Sequence, residues 1–348
     1  MPPQNPAAAP LLEVVDLRTY FATDAGDAKA VDGISFSISA GKTLAIVGES
    51  GCGKTATALS LLRLIPMPPG RFASGEIRFE GRDLTKLPTS ELRSIRGGRI
   101  AMIFQEPATS LNPVFTIGRQ LAEAISLHRK PVPADMDAEI VKALTAVRVS
   151  DPERRLIQYP HELSGGMKQR VMIAMALACN PALLIADEPT TAVDVTIQAR
   201  ILDLLRQIQA ERGMAILLIT HDLGVVAELA DDVAVMYAGR IIERGPVADL
   251  FDHPAHPYTK GLFASLPPVD RRVERLQAIH GSVPPATRFP AGCRFRERCP
   301  FAAEGCEREQ ALVTLGTKSG AGEHLVACHR AEEIAGRPFE YPAAATAS

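Results

Sequence analysis

Three features of the sequence predict an α/β fold built on a parallel sheet. A short apolar run, "TLAIVG" (Thr43 to Gly48), ends in a glycine-rich loop and passes into a helical pattern at Lys54. That strand–loop–helix order is one half of a parallel α/β unit. Two further apolar runs, "ALLIADEP" and "MAILLITHD", read as buried strands. Amphipathic helices lie between and after them, such as "TIQARILDLLRQIQAERG", which stops on Gly213.

Taken in order, "LLEVVDL" and "AVDGISFSI" are strand-like runs, the second closed by "SAGK". The helix after the loop is expected from Lys54 to about Leu64. "GEIRFEGRDL" reads as a hairpin, and "RIAMIFQEP" as a buried strand that stops at Pro107. Residues from about Leu111 to Gln158 are helical in pattern, with prolines as punctuation. "DVAVMYAGRIIERG" reads as a final hairpin turning at Ala238 and Gly239. Beyond about Leu250 the texture shifts to Pro, His and Arg without sustained periodicity. The expected organisation is a disordered lead-in at 1–10, an α/β domain at 11–250 and a small C-terminal domain at 251–340.

Composition excludes several classes. At 348 residues two units are the natural prior, and 46% hydrophobic with 22% charged residues is globular. A formal net charge of −2 gives no basis for a nucleic-acid partner or a polybasic membrane anchor. Trp is absent, which argues against a base-stacking platform. "MPPQNPAAAP" has no basic n-region and no apolar h-region, so it is not a signal peptide. The longest uncharged apolar stretch, "VMIAMALAC", falls far short of the ~20 residues of a spanning helix. A soluble, cytosolic chain is expected.

"GESGCGKT" (Gly48, Glu49, Ser50, Gly51, Cys52, Gly53, Lys54, Thr55) fits G-x-x-x-x-G-K-[ST] after a strand and before a helix. Such a loop curls backbone N–H groups around phosphate oxygens and adds the positive end of a helix. Lys54 is placed to reach the β- and γ-phosphates, and Thr55 to offer a hydroxyl to Mg²⁺. Asp187 and Glu188 end a buried strand, where unpaired charge is costly unless used. Asp187 suits the Mg²⁺ shell and Glu188 a general base toward water. In "LSGGMKQR", Ser164 is a natural N-cap, and Gly165 and Gly166 leave the helix start open as a second anion site. A loop already wraps the nucleotide, so a second phosphate-reading surface suggests use across a dimer interface.

These motifs together resemble the ATPase subunit of an ABC transporter, with Leu163 to Arg170 matching the signature motif. The resemblance implies a P-loop NTPase fold with a RecA-like core, an antiparallel β subdomain and a helical subdomain. Gln105 in "FQEP" matches the Q-loop glutamine, implied at Mg²⁺ and in catalysis, Asp194 in "TTAVD" the D-loop, and His221 in "LITHD" the switch histidine. Phe21 lies where the family places an adenine-stacking aromatic, with Tyr20 as its neighbouring candidate. The implied cofactors are ATP and Mg²⁺. Two ATPs would lie between two such domains, with Ser164, Gly165 and Gly166 capping the partner's γ-phosphate.

"FQEPATSLNPVFTIGRQLAEAI", "DEPTTAVDVT" and "HPAHPYTKGLFASLP" are similar to dipeptide and oligopeptide importers, and the likeness runs from Leu11 to about Arg330. Glu106 stands where Asp is common, Thr55 where Ser is, and Val193 where Leu is; none removes a functional group. The resemblance implies a second ATPase subunit (the same chain or a relative), two permease subunits and an extracytoplasmic substrate-binding protein. It also implies a peripheral position on the cytoplasmic side of the inner membrane. Nickel and glutathione importers carry similar subunits, so the cargo stays open. Soluble ABC ATPases of translation or DNA repair usually carry two cassettes or a long coiled-coil insert, and neither is seen.

Cys293, Cys299, Cys306 and Cys328 hold four of the six thiols at spacing C-x5-C-x6-C-x21-C. In a reducing compartment such a cluster reads as metal-binding or catalytic rather than disulfide-bonded. The gaps fit a zinc ribbon poorly, and four thiolates also suit a [4Fe–4S] cluster. Arg294, Arg296, Arg298, Arg308 and Arg330 could offset its negative charge. The resemblance to peptide-importer ATPases with this cysteine pattern implies [4Fe–4S]; zinc and unmetallated thiols remain the alternatives.

Overall fold

The computed structural model describes residues 9–105, 110–190, 195–265, 278–316 and 322–341. Asp194, Val193, Glu106 and most of the lead-in lie outside them. Strands β1 (Leu12–Thr23) and β2 (Gly26–Ile38) form an antiparallel hairpin. Next, β3 (Thr43–Val47) leads through the glycine loop into α1 (Lys54–Leu61). The helix stops short of Leu64 because Arg63 takes a left-handed φ of 50°. Leu64 N–H then bonds Leu59 O and Arg63 N–H bonds Ser60 O, the paired closure of a Schellman end. A second hairpin, β4 (Gly70–Phe79) and β5 (Arg82–Asp83), completes a four-stranded antiparallel sheet of order β2-β1-β4-β5.

After α2 (Thr89–Ile95) and β6 (Ile100–Ile103) comes the helical stretch: α3 (Ile117–His128), α4 (Met136–Ala146), α5 (Pro152–Arg155) and α6 (Gly165–Leu177). The chain then alternates β7 (Leu183–Asp187), α7 (Val195–Arg212), β8 (Ala215–Ile219) and α8 (Leu223–Leu229). The hairpin β9 (Asp232–Tyr237) and β10 (Arg240–Pro246) pairs Tyr237 with Arg240 around Ala238 and Gly239. Beyond it lie α9 (Val247–Asp252), α10 (Pro257–Ala264), β11 (Val313–Leu315) and β12 (His324–Val326).

The large sheet has the order β11-β12-β10-β9-β3-β8-β7-β6, parallel from β9 to β6. Every residue of β3, β7 and β8 is buried, as continuous apolar runs require when both faces are covered. Alternate residues divide between two cores. Leu44, Ile46, Leu183, Ile185 and Leu217 pack toward α1 and the antiparallel sheet. Ala45, Val47, Leu184, Ile216 and Leu218 pack toward α3, α4, α6 and α7. Burying one such Leu or Ile contributes about 1.5–3 kcal/mol, so the two-sided covering holds the sheet, and with it the strand ends.

Residues after 250 build onto this sheet. β12 pairs Val326 and Leu325 with Glu243 and Arg244 of β10. Glu243, fully buried, accepts from the N–H groups of Ala255 and His256 and bonds His324 Nε2 at 2.7 Å. His256 is no idle linker residue: its Nδ1 caps α10 by accepting from Tyr258 N–H. Burial lowers its pKa to about 4, so the ring is neutral there. Buried Asp32 ties the same segment to the antiparallel sheet, accepting from Tyr20 Oη, Arg18 and Arg294.

Candidate functional site

The strand order dictates where chemistry can occur. In an open parallel sheet, ligands sit beyond the carboxyl ends of the strands. β3, β8, β7 and β6 are consecutive neighbours, and their ends carry the loop of Gly48 to Thr55, His221, Asp187 with Glu188, and Gln105. A 310 Å³ cavity there is lined by Ser50, Gly51, Gly53, Lys54, Thr55, Gln105, Glu188 and His221.

The loop requires glycine at two points. Gly53 has φ 113°, and a Cβ there would lie 2.2 Å from Ala30 O. At Gly48 a Cβ would lie 2.2 Å from Met236 O. Lys54 is folded inward, donating from Nζ to Gly48 O at 2.7 Å and Glu49 O at 3.0 Å. The ammonium therefore sits inside the curl, against main-chain carbonyls. Cys52 faces the core, and burial raises its thiol pKa.

Asp187 is buried at the strand end, and Thr55 lies near enough to its carboxylate to favour the charged form. Burial raises its pKa and the Glu188 charge adds to that, while Thr55 and Lys54 pull the other way. Its Oδ1 has no hydrogen-bond partner among the described residues. A buried, orphaned carboxylate oxygen next to a threonine hydroxyl fits a hard divalent cation with oxygen ligands.

Glu188 takes φ 48°, uncommon for a side chain other than Gly and typical of strain held at a functional site. Its main chain stays tied to the sheet, Glu188 N–H donating to Ile219 O. The result aims the carboxylate into the cavity, where Oε2 accepts from Gln105 Nε2 at 2.8 Å and Oε1 meets His221 Nδ1 at 3.0 Å. Gln105, Glu188 and His221 thus converge from three separate strands.

Other candidates stand apart from this cavity. Ser164 caps α6 by accepting from Met167 N–H at 3.4 Å, and Ser164 and Gly165 are exposed. Neither lines the cavity that holds Lys54. Gln169 ties that helix to the turn after Glu188 by donating to Pro189 O. Phe21 and Tyr20 do not line the phosphate cavity either. Phe21 lies opposite Gly70 in β4, while Tyr20 has Lys29 and Arg71 over its ring.

The four cysteines of the C-terminal segment converge as well. Cys293, Cys299, Cys306 and Cys328 line one small cavity, with Arg296 and Arg330 at its wall. Burial pushes the Cys299 and Cys328 thiols up to about 12 and about 11. Among the described residues, no three His, Cys, Asp or Glu are close enough to hold a single metal ion. The expectation that five arginines surround the cysteines is corrected in part: Arg294 is engaged with Asp32 and Arg298 with Glu49. Those two pairs escaped the sequence reading, because partners 262 and 249 residues apart leave no local signal.

Phosphate loop, acidic strand end and strand-end histidine, on a parallel core flanked by an antiparallel sheet and a helical layer, define an ATP-binding cassette. The profile of the ABC transporter family matches residues 31–191, and that of the oligopeptide/dipeptide transporter C-terminal region matches 242–306. The probable peptide ABC transporter ATP-binding protein y4tR of Sinorhizobium fredii (strain NBRC 101917 / NGR234) is 52% identical over 331 residues, 95% of this chain and 98% of that one. The oligopeptide transport ATP-binding protein AppD of Bacillus subtilis (strain 168) is 49% identical, covering 93% and 97%. Among solved structures, cbiO1 of Clostridium perfringens, part of the transporter complex cbiONQ, aligns with TM-score 0.59 at 28% identity, covering 70% of this chain and 91% of that one. The dimeric bacterial cassette MJ0796 shares the fold at TM-score 0.62 and 24% identity, covering 68% and 98%. The chain belongs to the ABC transporter ATP-binding proteins, in the branch with an oligopeptide/dipeptide transporter C-terminal region. It is an ATPase.

Proposed function

We propose that the chain is the ATP-hydrolysing subunit of an importer of dipeptides or oligopeptides. The observation that carries this reading is the convergence of Gln105, Glu188 and His221 beside Lys54, in a chain that also bears the oligopeptide/dipeptide transporter segment at 242–306. The glycine loop and Lys54 bind the phosphates, with Thr55, Asp187 and Gln105 placed to hold Mg²⁺. When bound, that ion would neutralise charge on the phosphates. Glu188 accepts a proton from the attacking water, while His221 and Gln105 orient its carboxylate. Phe21 is assigned to the adenine.

Ser164, Gly165 and Gly166 lie outside the phosphate cavity of their own chain, which supports their use on the nucleotide of a second cassette. Asp194 is assigned to the same interface, and residues 11–250 and 251–340 to the cassette and its C-terminal extension. Two permease subunits, an extracytoplasmic binding protein and the cytoplasmic face of the inner membrane complete the proposed assembly. Among the described residues no helix is long and apolar enough to cross a membrane. Reconstituted with such permeases, the ATPase should be stimulated by a peptide-loaded binding protein. Stimulation by nickel or glutathione but not by peptides would overturn the cargo assignment.

The cysteine cavity is proposed to hold a [4Fe–4S] cluster. Zinc needs four donors about one point, at ~2.3 Å for thiolates, and the thiols do not close to that geometry. A cubane spreads its ligands over a larger body, and the donor set of four enclosed cysteines suits it. Burial raises the thiol pKa of Cys293, Cys299 and Cys328, and metal binding would take them as thiolates. The anaerobically purified protein should contain iron and acid-labile sulfide and lose both in the Cys299→Ser variant. A colourless, folded, ATP-binding protein without either would sink the assignment.

A further inference from the structure

The segment that carries the cysteines also grips the phosphate loop. Arg298 donates from Nη1 to Glu49 Oε2 at 2.7 Å and from Nη2 to Glu49 Oε1 at 2.9 Å, a two-pronged pair. Its remaining N–H groups reach His280 O at 2.8 Å, Gly281 O at 3.3 Å and Tyr237 Oη at 3.3 Å. All five donors of the guanidinium are therefore engaged, and the side chain is only 7% exposed. Burial opposes its charge, yet the Glu49 carboxylate and Tyr237 more than offset this and raise its pKa. The guanidinium rests against the rings of Tyr237 and Phe295, and Phe295 packs edge-on to both Tyr237 and Tyr258 in a buried cluster.

A second hold acts on the same residue. Tyr258 Oη accepts from Glu49 N–H at 2.8 Å. Glu49 is thus fixed by side chain and main chain, and its carbonyl is one of the two that seat the Lys54 ammonium. A residue between the first glycine of the loop and its phosphate-facing turn is thus held, at its N–H and its carboxylate, by groups from beyond residue 236. Arg298 also stands in the turn that carries the thiols: Arg298 N–H bonds Phe295 O, and Cys299 N–H bonds Arg296 O.

We propose that Arg298 is a positioning residue for ATP: through Glu49 it holds the phosphate loop in the curl that receives the nucleotide. The C-terminal segment thereby sets nucleotide affinity. This rests on the reading of Gly48 to Thr55 as the nucleotide loop. In the full-length chain, Arg298→Ala should raise the Kd and KM for ATP about tenfold, the size of a direct side-chain coupling, with kcat within about twofold. Arg298→Lys should recover less than half of the loss, since an ammonium cannot fork across a carboxylate. Glu49→Gln, a milder change at a partly exposed side chain, should raise KM comparably, and the double variant should be no worse than either single one.

A lower melting temperature in Arg298→Ala with unchanged KM would mean a merely structural role and would overturn the proposal. So would an unchanged KM in Glu49→Gln, whatever happens to the folding of the arginine variant. Lys54→Ala serves as the control: if it leaves ATP affinity intact, the nucleotide loop itself is misassigned, and the two failures are told apart.

Discussion

Replacing Glu188 by Gln should cut ATP turnover by ~10²–10⁴-fold, the usual contribution of a positioned general base, while ATP binding persists. Glutamine keeps the length and shape of the side chain, so the cavity formed with Gln105 and His221 should survive. It cannot take up a proton from water. Without hydrolysis the nucleotide should remain between paired cassettes, and the variant should run as a dimer with ATP and as a monomer without it. Phosphate release and light scattering read the two effects separately. Turnover within twofold of the unmodified chain would remove Glu188 from the role of base.

The second large effect is expected from Lys54→Ala, which should weaken ATP binding by ~10²-fold, equivalent to the roughly 3 kcal/mol of a strong charge-assisted bond. Lys54 is 7% exposed, and its ammonium is held by Gly48 O and Glu49 O at the centre of the loop. Removing it leaves the phosphates facing backbone N–H groups without the ammonium's charge. Titration calorimetry measures the change, and a melting curve separates it from loss of fold. An affinity within threefold of the unmodified chain would be incompatible with the assigned role.

The two variants divide the site by origin. Lys54 belongs to a contiguous loop, so its role is legible in eight consecutive letters. Glu188 is legible only as an acid at a strand end. What supports its proposed role as base is its left-handed backbone at φ 48° and its meeting with Gln105 and His221, 83 and 33 positions away. The family resemblance marked Gln105 and His221 as site residues; neither it nor spacing set them against the Glu188 carboxylate.

Periodicity and punctuation also limit what a reader can infer about the C-terminal segment. Irregular, proline-rich texture after Leu250 reads as a separate small unit, because no 3.6- or 2-residue period survives there. Yet β12 is three residues long and adds to the edge of β10, and a strand that short has no pattern to detect. The arginines among the cysteines looked alike in sequence. In the fold Arg296 and Arg330 face the thiols, whereas Arg294 and Arg298 reach Asp32 and Glu49.

The parallel core, the phosphate loop, the helix that Ser164 caps and the set of four cysteines are all legible in the amino-acid order. Each is written in neighbouring residues whose propensities and spacing act locally. That the strand ends bring Gln105, Glu188 and His221 to one cavity, and that Arg298 closes on Glu49, emerges from the folded arrangement alone. Those contacts depend on strand order and on chain segments meeting after hundreds of intervening residues, and local physical chemistry does not encode that distance.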